Sequence, residues 1–378
     1  MHVVIVGAGL VGAAAGLAAQ QAGYRVTLLE RNAAPTAKPA DKAWDLRISS
    51  IHQRNVEWLQ QLGAWHSLAP NKVRRYDALR VTTRDGLSVD FNAAEVNQSQ
   101  LGVMAENDAL VRAMWQQLQQ LPNVSIRSET QVESYAIAQR KVYLSDGQQL
   151  NYDLLLGADG AGSAVAQAAQ IGSRGWDYDM RCLLAIVKTE QPIPSATWEV
   201  FRECGPYALL PLDQHLACLI DYRSQQAWRS ADALEVAKAL ETTFTPAIGT
   251  FELLRHGSFP LRRQRALHYV DAEAGLALVG DAAHSIHPLA GQGVNLGFAD
   301  VRVIVEELAQ KPLDKALRSY ERRQMATNQQ MMRAMDAIHY GFRSKHFAAR
   351  AMVATGLAAV SKLTPLKRRI IKRAMGES

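Results

Sequence analysis

The chain has 378 residues, of which 48% are hydrophobic and 21% are charged, a composition typical of a soluble globular protein that is long enough for two domains. Its three cysteines are too few and too scattered for a disulfide framework or a zinc site, which favours a reducing, cytoplasmic compartment. The net charge of +6 is concentrated in residues 337–378, which hold nine Lys and Arg and one Glu, so no nucleic-acid partner is expected for the remaining chain.

The first elements predict a dinucleotide-binding unit. A short β-branched run at 2–6 precedes Gly7-Ala8-Gly9-Leu10-Val11-Gly12, an alanine-rich helix and a second strand at 25–29 that ends on Glu30. In such a unit the first glycine permits the turn, the second lets the pyrophosphate approach, the third permits close helix packing, and the acid binds the ribose. The alternative is a tight packing turn, and this motif does not distinguish FAD from NAD.

Two apolar stretches are not predicted to be membrane segments. Residues 3–19 have no basic residues before them and contain the glycines described above, so we interpret them as retained structure and not as a signal peptide. Residues 351–360 form the longest later apolar run, which is too short to span a bilayer.

The middle of the chain alternates between helical and strand patterns. Residues 45–50 precede a predicted helix that ends near residue 62, and residues 73–105 alternate as strands do. Residues 107–121 form a predicted helix, and strands are predicted at 124–127 and 129–136.

A second strand-rich region follows the run 154–163, which is typical of a strand, a turn at Asp159 and a helix. From 176 to 261 the pattern is mostly antiparallel strands, with one helix at 233–244. Such a region, without a glycine-rich phosphate loop, favours a separate sheet that contributes to a substrate pocket.

The loop at 280–297 joins a predicted buried strand to a long helix that starts near Val294. Glycines at 291, 293 and 297 leave few Cβ atoms between the backbone and a flat ligand. The helix directs its free N–H groups and positive dipole end at the same place, which favours an electron-rich ring. The alternative is an ordinary loop in which Asp281 caps the helix.

These residues resemble the flavin motifs of the FAD-dependent aromatic hydroxylases, the para-hydroxybenzoate hydroxylase family. The resemblance is carried by Gly280-Asp281-Ala282-Ala283-His284, by Pro288, by Gly291-Gln292-Gly293-Val294-Asn295, and by the run 154–163. One departure is Ala166, which stands where an arginine is usual in the family.

The resemblance implies FAD as cofactor, NAD(P)H as electron donor and O2 as co-substrate. It implies that Asp281 holds the ribityl chain and that Gly293 to Asn295 face the flavin edge. The candidate catalytic positions are Pro288, Gly293 and Val294. The implied cofactor-binding positions are Gly7, Gly9, Gly12, Glu30, Arg31, Arg47, Asn107, Val132, Asp159, Asp281, Gly291, Gly293, Val294 and Asn295.

Some of these roles have alternatives. Arg47 equally suits a helix-capping or surface position, and Asn107 equally suits a helix N-cap. His284 and His287 have the spacing of a helical metal pair but lie in the flavin loop, so no metal site is expected.

The implied fold is α/β: an FAD-binding Rossmann-like domain of the glutathione-reductase type, with an inserted, mostly antiparallel β-sheet substrate domain and C-terminal helices. The FAD-binding domain is expected to be discontinuous. The predicted boundaries are 1–72, 100–175 and 264–340 for the FAD-binding domain, 73–99 and 176–263 for the substrate-binding sheet, and 341–378 for a basic tail.

The activity implied by the resemblance is that of a class A flavoprotein monooxygenase, in which a flavin C4a-hydroperoxide transfers one oxygen atom to an electron-rich aromatic ring. Together with the runs 45–49 and 258–261, the loop further resembles the ubiquinone-biosynthesis hydroxylases, most closely the branch acting on the demethoxy-quinol ring. A hydrophobic quinol or phenol substrate is therefore expected.

Several alternatives stay open: another ring position, a soluble phenolic substrate, or a non-catalytic FAD-bound subunit of a biosynthetic complex. Two other flavoprotein classes lack their required residues here. A flavin disulfide reductase needs a close cysteine pair, and a flavin halogenase needs a Trp-x-Trp-x-Ile-Pro run.

The tail is predicted to end in a short basic amphipathic helix at 365–375. Four apolar residues share one face and five cations occupy the rest. Residues 362–378 are therefore expected to attach the protein peripherally to the anionic inner face of the cytoplasmic membrane. A solvated terminus and a docking helix for a partner subunit are the alternatives, and a homo-oligomer stays open.

Overall fold

The computed structural model describes residues 1–36, 44–229, 231–286, 291–343 and 346–376. A six-stranded, mainly parallel sheet forms the first layer, with an antiparallel pair at one edge. In spatial order its strands are β18 (Val270–Asp271), β19 (Leu276–Leu278), β12 (Leu154–Gly157), β1 (His2–Val6), β2 (Arg25–Leu29) and β8 (Val124–Arg127).

The helix α1 (Leu10–Gln21) lies at the centre of this layer because it is made of small residues. It packs against β1 and β2 and against two later helices, α3 (Asn107–Gln120) and α7 (Gln292–Gln310). A Cβ atom on Gly16 would lie 3.1 Å from side-chain atoms of Leu28 and Leu118. The alanine-rich sequence of α1 therefore permits close packing on several sides at once.

An eight-stranded sheet forms the second layer. It is antiparallel except where β14 and β5 run parallel. In spatial order its strands are β20 (His284–Ser285), β17 (Phe251–Ala266), β13 (Ser173–Thr189), β16 (Leu216–Ser224), β15 (Tyr207–Pro211), β14 (Ala196–Val200), β5 (Ala78–Thr82) and β6 (Ser88–Asn92). The predicted α/β fold with a mostly antiparallel second sheet is confirmed.

The strands β13 and β17 are much longer than their hydrophobic patterns predict. Residues 173–177 are exposed, yet they pair with residues 262–266. Pro260, which lacks an N–H, lies opposite Arg181 beside a register shift in this ladder. Irregular pairing at that point accommodates the proline, and backbone pairing, not side-chain burial, extends both strands.

Two three-stranded antiparallel sheets complete the strand layers. One contains β11 (Gln149–Asn151), β10 (Lys141–Leu144) and β9 (Val132–Ala136); the other contains β3 (Ile48–His52), β7 (Gly102–Glu106) and β4 (Val73–Tyr76). Sheet membership therefore changes between Tyr76 and Ala78, a few residues after the predicted boundary at residue 73. The domain boundaries themselves stay a prediction.

The remaining helices lie around these layers. They are α2 (Gln53–Gln61), α4 (Ala164–Ala168), α5 (Gln225–Arg229), α6 (Ala233–Ile248), α8 (Leu313–Arg343), α9 (Phe347–Lys362) and α10 (Thr364–Ala374). Short 3₁₀ turns occur at Pro70–Lys72, Ala93–Val96, Ile137–Gln139 and Gly280–Ala282. No helix of the described residues is long and apolar enough to cross a membrane.

The apolar face of α10 packs against the protein itself. Ile371 and Met375 are each 1% exposed and join a cluster with Tyr76, Phe91 and Cys218. Ile370 is partly buried against the same cluster, and Lys367 forms an ion pair with Glu95 at 2.7 Å. The sequence correctly predicts an amphipathic helix, but most of the apolar face assigned to a membrane is occupied by the protein's own core, and Leu366 stays exposed.

The end of α10 is anchored at the junction of β3 and α2. The backbone N–H and the guanidinium of Arg54 donate to the carbonyl oxygens of Met375 and Gly376 at 3.3 and 2.8 Å. The imidazole of His52 accepts a hydrogen bond from the N–H of Asn55 at 3.3 Å and contacts Gly376. Burial, and then the nearby charge of Arg302, lowers the pKa of His52 to about 4.

We expect this buried histidine to make the folded protein sensitive to mild acid. An unfolded histidine ionises near pH 6.5 whereas His52 stays neutral in the folded state, so stability from this group is present above 6.5 and is lost as pH falls toward 4. The loss between pH 7 and pH 5 should be about 2 kcal/mol. Urea unfolding at pH 7 and at pH 5 gives the free energy of unfolding at each pH. The difference between the two values should be smaller for His52→Gln than for the wild type by about this amount.

The exposed His268 provides the matched control. His268→Gln should retain the full pH dependence of the wild type. An equal pH dependence in wild type and His52→Gln would contradict the proposed contribution of His52.

Candidate functional site

The nucleotide loop after β1 uses its three glycines in two ways. A Cβ atom on Gly7, whose φ is +94°, would lie 2.5 Å from the carbonyl oxygen of Ala158, and one on Gly12 would lie 1.9 Å from that of Gly7. A Cβ atom on Gly9 would meet nothing within 4 Å. Packing therefore requires Gly7 and Gly12, whereas Gly9 borders open space at the start of α1, where a pyrophosphate is expected.

Glu30 lies at the end of β2 beside this loop. Its Oε2 accepts a hydrogen bond from the N–H of Ala8 at 2.9 Å, and its Oε1 accepts two from Asn32. The carboxylate is thus held in place by its neighbours. Oε1 already accepts two hydrogen bonds, whereas Oε2 accepts one and retains a lone pair for a ribose hydroxyl. Arg31 is exposed next to it.

Two buried polar atoms at predicted cofactor positions have no hydrogen-bond partner among the residues described. One is Oδ1 of Asp159, whose other oxygen caps α4 by accepting from the N–H of Ala164 at 2.7 Å. The other is Oδ1 of Asn107. Asn107 is the first residue of α3 and makes no capping bond there, so the N-cap alternative is not what the structure has.

Arg47 and Asp281 lie near each other at the next part of the cleft. The Asp281 side chain is exposed to solvent, although surrounding atoms raise its pKa through burial while His284 and Arg47 act to lower it. A side chain that is exposed to solvent and still has its pKa raised by surrounding atoms fits a carboxyl that lies inside a concave cleft. The N–H of Asn107 donates to the Arg47 carbonyl at 3.0 Å, which brings three predicted positions together.

The other predicted positions lie in or beside the nucleotide domain. Val132 begins β9 and is partly buried against the core of the first layer, as is Val294 in α7. Gly291 caps α7 with φ +61°, a left-handed conformation that suits glycine. A Cβ atom on Gly293 would meet nothing within 4 Å. Pro288 lies outside the described residues.

Asn295 has its side chain directed into the protein. Its Nδ2 donates to the carbonyl oxygens of Ser50 at 2.8 Å and Gly291 at 3.2 Å. Its Oδ1 accepts from the N–H of His52 and from Nδ2 of Asn55. These contacts hold the loop against β3 and α2, so Asn295 can reach a cofactor through its backbone and not through its side chain.

The loop is also held from behind by a buried carboxylate that the sequence analysis did not identify. Nε2 of His284 lies 2.6 Å from Oδ2 of Asp300, and both side chains are fully buried. Burial acts to lower the pKa of His284, but the Asp300 carboxylate outweighs it and raises that pKa. A charged residue on the apolar face of α7 is the sequence signal that could have pointed to Asp300.

The same carboxylate joins the loop to α8. Oδ2 of Asp300 accepts from the N–H of Gly280 at 3.0 Å, and Oδ1 accepts from Gln324 and Asn328. Among the residues described, no group of three or more His, Cys, Asp or Glu side chains is placed to hold a metal ion.

Together these residues line a cleft that runs from the start of α1 to the start of α7. The carboxylate of Glu30 suits a ribose. The N-terminus of α1 suits phosphates and that of α7 suits an electron-rich ring. Oδ1 of Asp159 and Oδ1 of Asn107 are acceptor atoms without a partner among the residues described. Open space next to Gly9, Gly160, Gly162 and Gly293 provides room for a ligand in close contact with backbone. This geometry fits FAD.

Comparison with known proteins agrees with that fit. Residues 1–335 match the family model described as FAD binding domain. The chain is 37% identical to a 3-demethoxyubiquinol 3-hydroxylase of Escherichia coli, with 99% of this chain and 98% of that protein covered. It is 31% identical to a ubiquinone hydroxylase, UbiL, of Rhodospirillum rubrum, with 99% and 89% covered.

Solved structures show the same fold at lower identity. The p-nitrophenol 4-monooxygenase of Pseudomonas putida superposes with a TM-score of 0.78 at 17% identity, covering 99% of this chain and 98% of that one. The expected FAD cofactor and FAD-dependent monooxygenase class are confirmed by the family match together with these relatives.

We expect Gly9→Val to release FAD without unfolding the protein. The valine side chain would enter the space next to the loop, where it excludes the pyrophosphate but meets no protein atom at its Cβ. FAD content after purification should fall at least tenfold, which corresponds to about 1.4 kcal/mol or more of lost binding free energy. Flavin absorbance and the circular dichroism melting curve measure the two effects.

Gly356→Val is the control, because a Cβ atom there also meets nothing within 4 Å and the position is in α9, outside the cleft. That variant should retain FAD. Full flavin content in Gly9→Val would contradict the assignment of the FAD pyrophosphate to the loop around Gly9.

Proposed function

The chain belongs to the FAD binding domain family, and from that premise we propose that it hydroxylates the aromatic ring of a polyprenylated quinol or phenol in ubiquinone biosynthesis. The observation that carries this proposal is the glycine-rich loop before α7, which places Asp281, Gly291 and Gly293 along one cleft next to Arg47. The similarity to the E. coli 3-demethoxyubiquinol 3-hydroxylase favours a demethoxy-quinol ring over other substrates.

The chain's own residues bind and orient the cofactor. We assign the ribose to Glu30, the pyrophosphate to the loop around Gly9 and the ribityl chain to Asp281. The N-terminus of α7, with its free N–H groups and positive dipole end, would face the edge of a bound flavin ring and would stabilise negative charge there. FAD, when bound, supplies the redox and oxygen chemistry.

The stoichiometry of the proposed reaction is that of a monooxygenase. NADH or NADPH supplies two electrons, one atom of O2 enters the ring as a hydroxyl group, and the other atom leaves as water. The large apolar face of the second sheet provides a surface that can contact a hydrophobic ring and its substituents.

We expect the purified holoprotein to oxidise NADH or NADPH faster in the presence of a short-chain 3-demethoxyubiquinol and to release a hydroxylated product. Under ¹⁸O₂ the product should gain one heavy oxygen atom, measured by mass spectrometry, and under H₂¹⁸O it should gain none. A protein that binds FAD but forms no labelled product would favour the non-catalytic subunit.

We further propose that the outward face of α10 contacts an anionic membrane surface. With Ile371 and Met375 buried, the exposed part of this helix carries Arg368 and Arg369, and the turn before it exposes Leu363 at 53%. Cations next to exposed leucines suit a headgroup region. A polyprenylated substrate stays in the bilayer, so such a contact would bring the enzyme to it.

Reversing two of these charges should weaken membrane binding. Each cation near an anionic surface contributes about 1 kcal/mol, so Arg368→Glu with Arg369→Glu should reduce partitioning onto anionic liposomes at low salt by at least about 30-fold. FAD content and turnover of the short-chain quinol should stay unchanged. Sedimentation with phosphatidylglycerol vesicles is the measurement.

The matched control reverses Lys315 and Arg318, two exposed cations near the start of α8. It changes the net charge equally, so it should keep liposome binding. Equal loss in both variants would indicate a general charge effect and contradict a specific role for α10. Charge reversal is a sharper test than deletion of the tail, because deletion would also remove buried core residues.

A further inference from the structure

The two faces of the eight-stranded sheet differ in what covers them. Side chains alternate along each strand, so Trp198 of β14 and Leu219 of β16 point toward α6, where they pack around Phe244. Glu199 of β14 and Ile220 of β16 point to the opposite face. That opposite face is largely apolar, with Leu184, Ile186, Leu210, Cys218 and Ile220.

This face meets the flavin loop on one side. Leu184 and Ile220 pack in the same cluster as Tyr76, whose hydroxyl lies 2.9 Å from Oγ of Ser50. The Cβ of Ser50 lies 3.1 Å from the place that a Cβ on Gly291 would take. The sheet face, β3 and the loop are therefore in contact.

The same face meets α8 on another side. Phe201, two residues after Glu199, stacks on Phe342 with ring centroids 3.8 Å apart and also packs on Met335. One turn earlier in α8, Met332 packs on Ile286 and Leu296 of the flavin loop and its helix. Glu199 thus lies on the sheet face that also contacts α8, and α8 in turn packs on the flavin loop and its helix.

The carboxyl of Glu199 is buried without a partner in the described part of the chain. The residue is 8% exposed, and burial raises its pKa to about 8. No described residue donates a hydrogen bond to it or forms an ion pair with it. An unpaired buried carboxyl lowers stability, so a position that retains one is a candidate for function.

Its neighbours in the sheet are neutral. Ala208, with a small side chain, is its direct partner on β15. Cys182 of β13 and Tyr222 of β16 are titratable groups that interact with Glu199 electrostatically from two other strands of the sheet. Burial raises the pKa of both well above its ordinary value, so neither ionises where Glu199 does.

Asp336 of α8 lies at the edge of this cluster and is already paired. It accepts a hydrogen bond from Tyr178 at 2.8 Å and forms an ion pair with Arg263. Glu199 differs from it in having no such partner among the residues described, so its carboxyl is available as a proton acceptor.

We propose that Glu199 binds the ring hydroxyl of the substrate and accepts its proton, with Tyr222 as a neighbouring hydroxyl that helps to orient the ring. This assignment rests on the proposed function. The phenolic O–H bond breaks as an O–H bond forms on the carboxylate, and no electrons are exchanged with the protein. The resulting phenolate is more electron-rich than the phenol, which favours attack of the ring carbon on an electrophilic oxygen atom.

The test is Glu199→Gln in the holoenzyme, since glutamine has the same shape and cannot accept the proton. With the short-chain 3-demethoxyubiquinol, product formation at pH 8 should fall at least tenfold, and product formed per NADH consumed should fall with it. In the wild type, kcat should rise with increasing pH around pH 8. In Glu199→Gln this rise, the pH limb, should be absent. FAD content should stay unchanged.

Two further variants make the result specific. Tyr222→Phe should keep the pH limb and raise KM for the quinol, because the carboxyl remains. Glu252→Gln, an exposed glutamate on β17 of the same sheet, should behave as the wild type.

The possible outcomes are distinguishable. A Glu199→Gln enzyme with wild-type product yield and an intact pH limb would overturn the assignment while leaving the proposed function standing. Loss of FAD or of the folded state in this isosteric variant would assign Glu199 to the structure and also overturn it. Absence of product from the wild type would instead refute the proposed function, and the assignment with it.

Discussion

The buried carboxylate of Asp300 is the contact on which the geometry of the cofactor cleft depends. It accepts hydrogen bonds from the N–H of Gly280 and from Gln324 and Asn328, and it binds His284 at 2.6 Å. Three elements therefore meet at one charge: the strand that enters the loop, the helix that leaves it and the long helix α8. A buried carboxylate is tolerated when its oxygens are satisfied in this way, and the requirement to satisfy them keeps the loop in one conformation.

Asn295 performs a related task on the other side of the loop. It binds Ser50, His52 and Asn55, which belong to β3 and α2, while Arg54 of α2 binds the end of α10. The C-terminal segment, β3 with α2, and the glycine-rich loop are thus linked through neighbouring residues. Because His52 is neutral in this arrangement, the stability that this group contributes is lost as the pH falls from 6.5 toward 4.

The two sheets have different roles. The six-stranded sheet presents loops and helix N-termini to a dinucleotide, whose phosphates need backbone N–H groups. The eight-stranded sheet presents a broad apolar face, which suits a hydrophobic ring, and the buried carboxyl of Glu199 lies on that face. C-terminal helices cover part of this face with apolar side chains such as Ile371 and Met375, so the tail is part of the fold and its cations remain outside.

The sequence by itself determined the nucleotide-binding fold, because Gly7, Gly9 and Gly12 depend on local backbone geometry that spacing reveals. The expectation of FAD came from the resemblance of the loop around Gly293 to the flavin motifs of the aromatic hydroxylases. The sequence also predicted α10 and its amphipathic pattern. Only the tertiary structure decided which partner the apolar face of α10 has, since a pattern shows that a face is apolar and not what covers it. The same limit applies to Asn295, Asp300 and Glu199. Their roles depend on hydrogen bonds, or the lack of them, between segments far apart in the chain, and such contacts leave no periodic signal in the sequence.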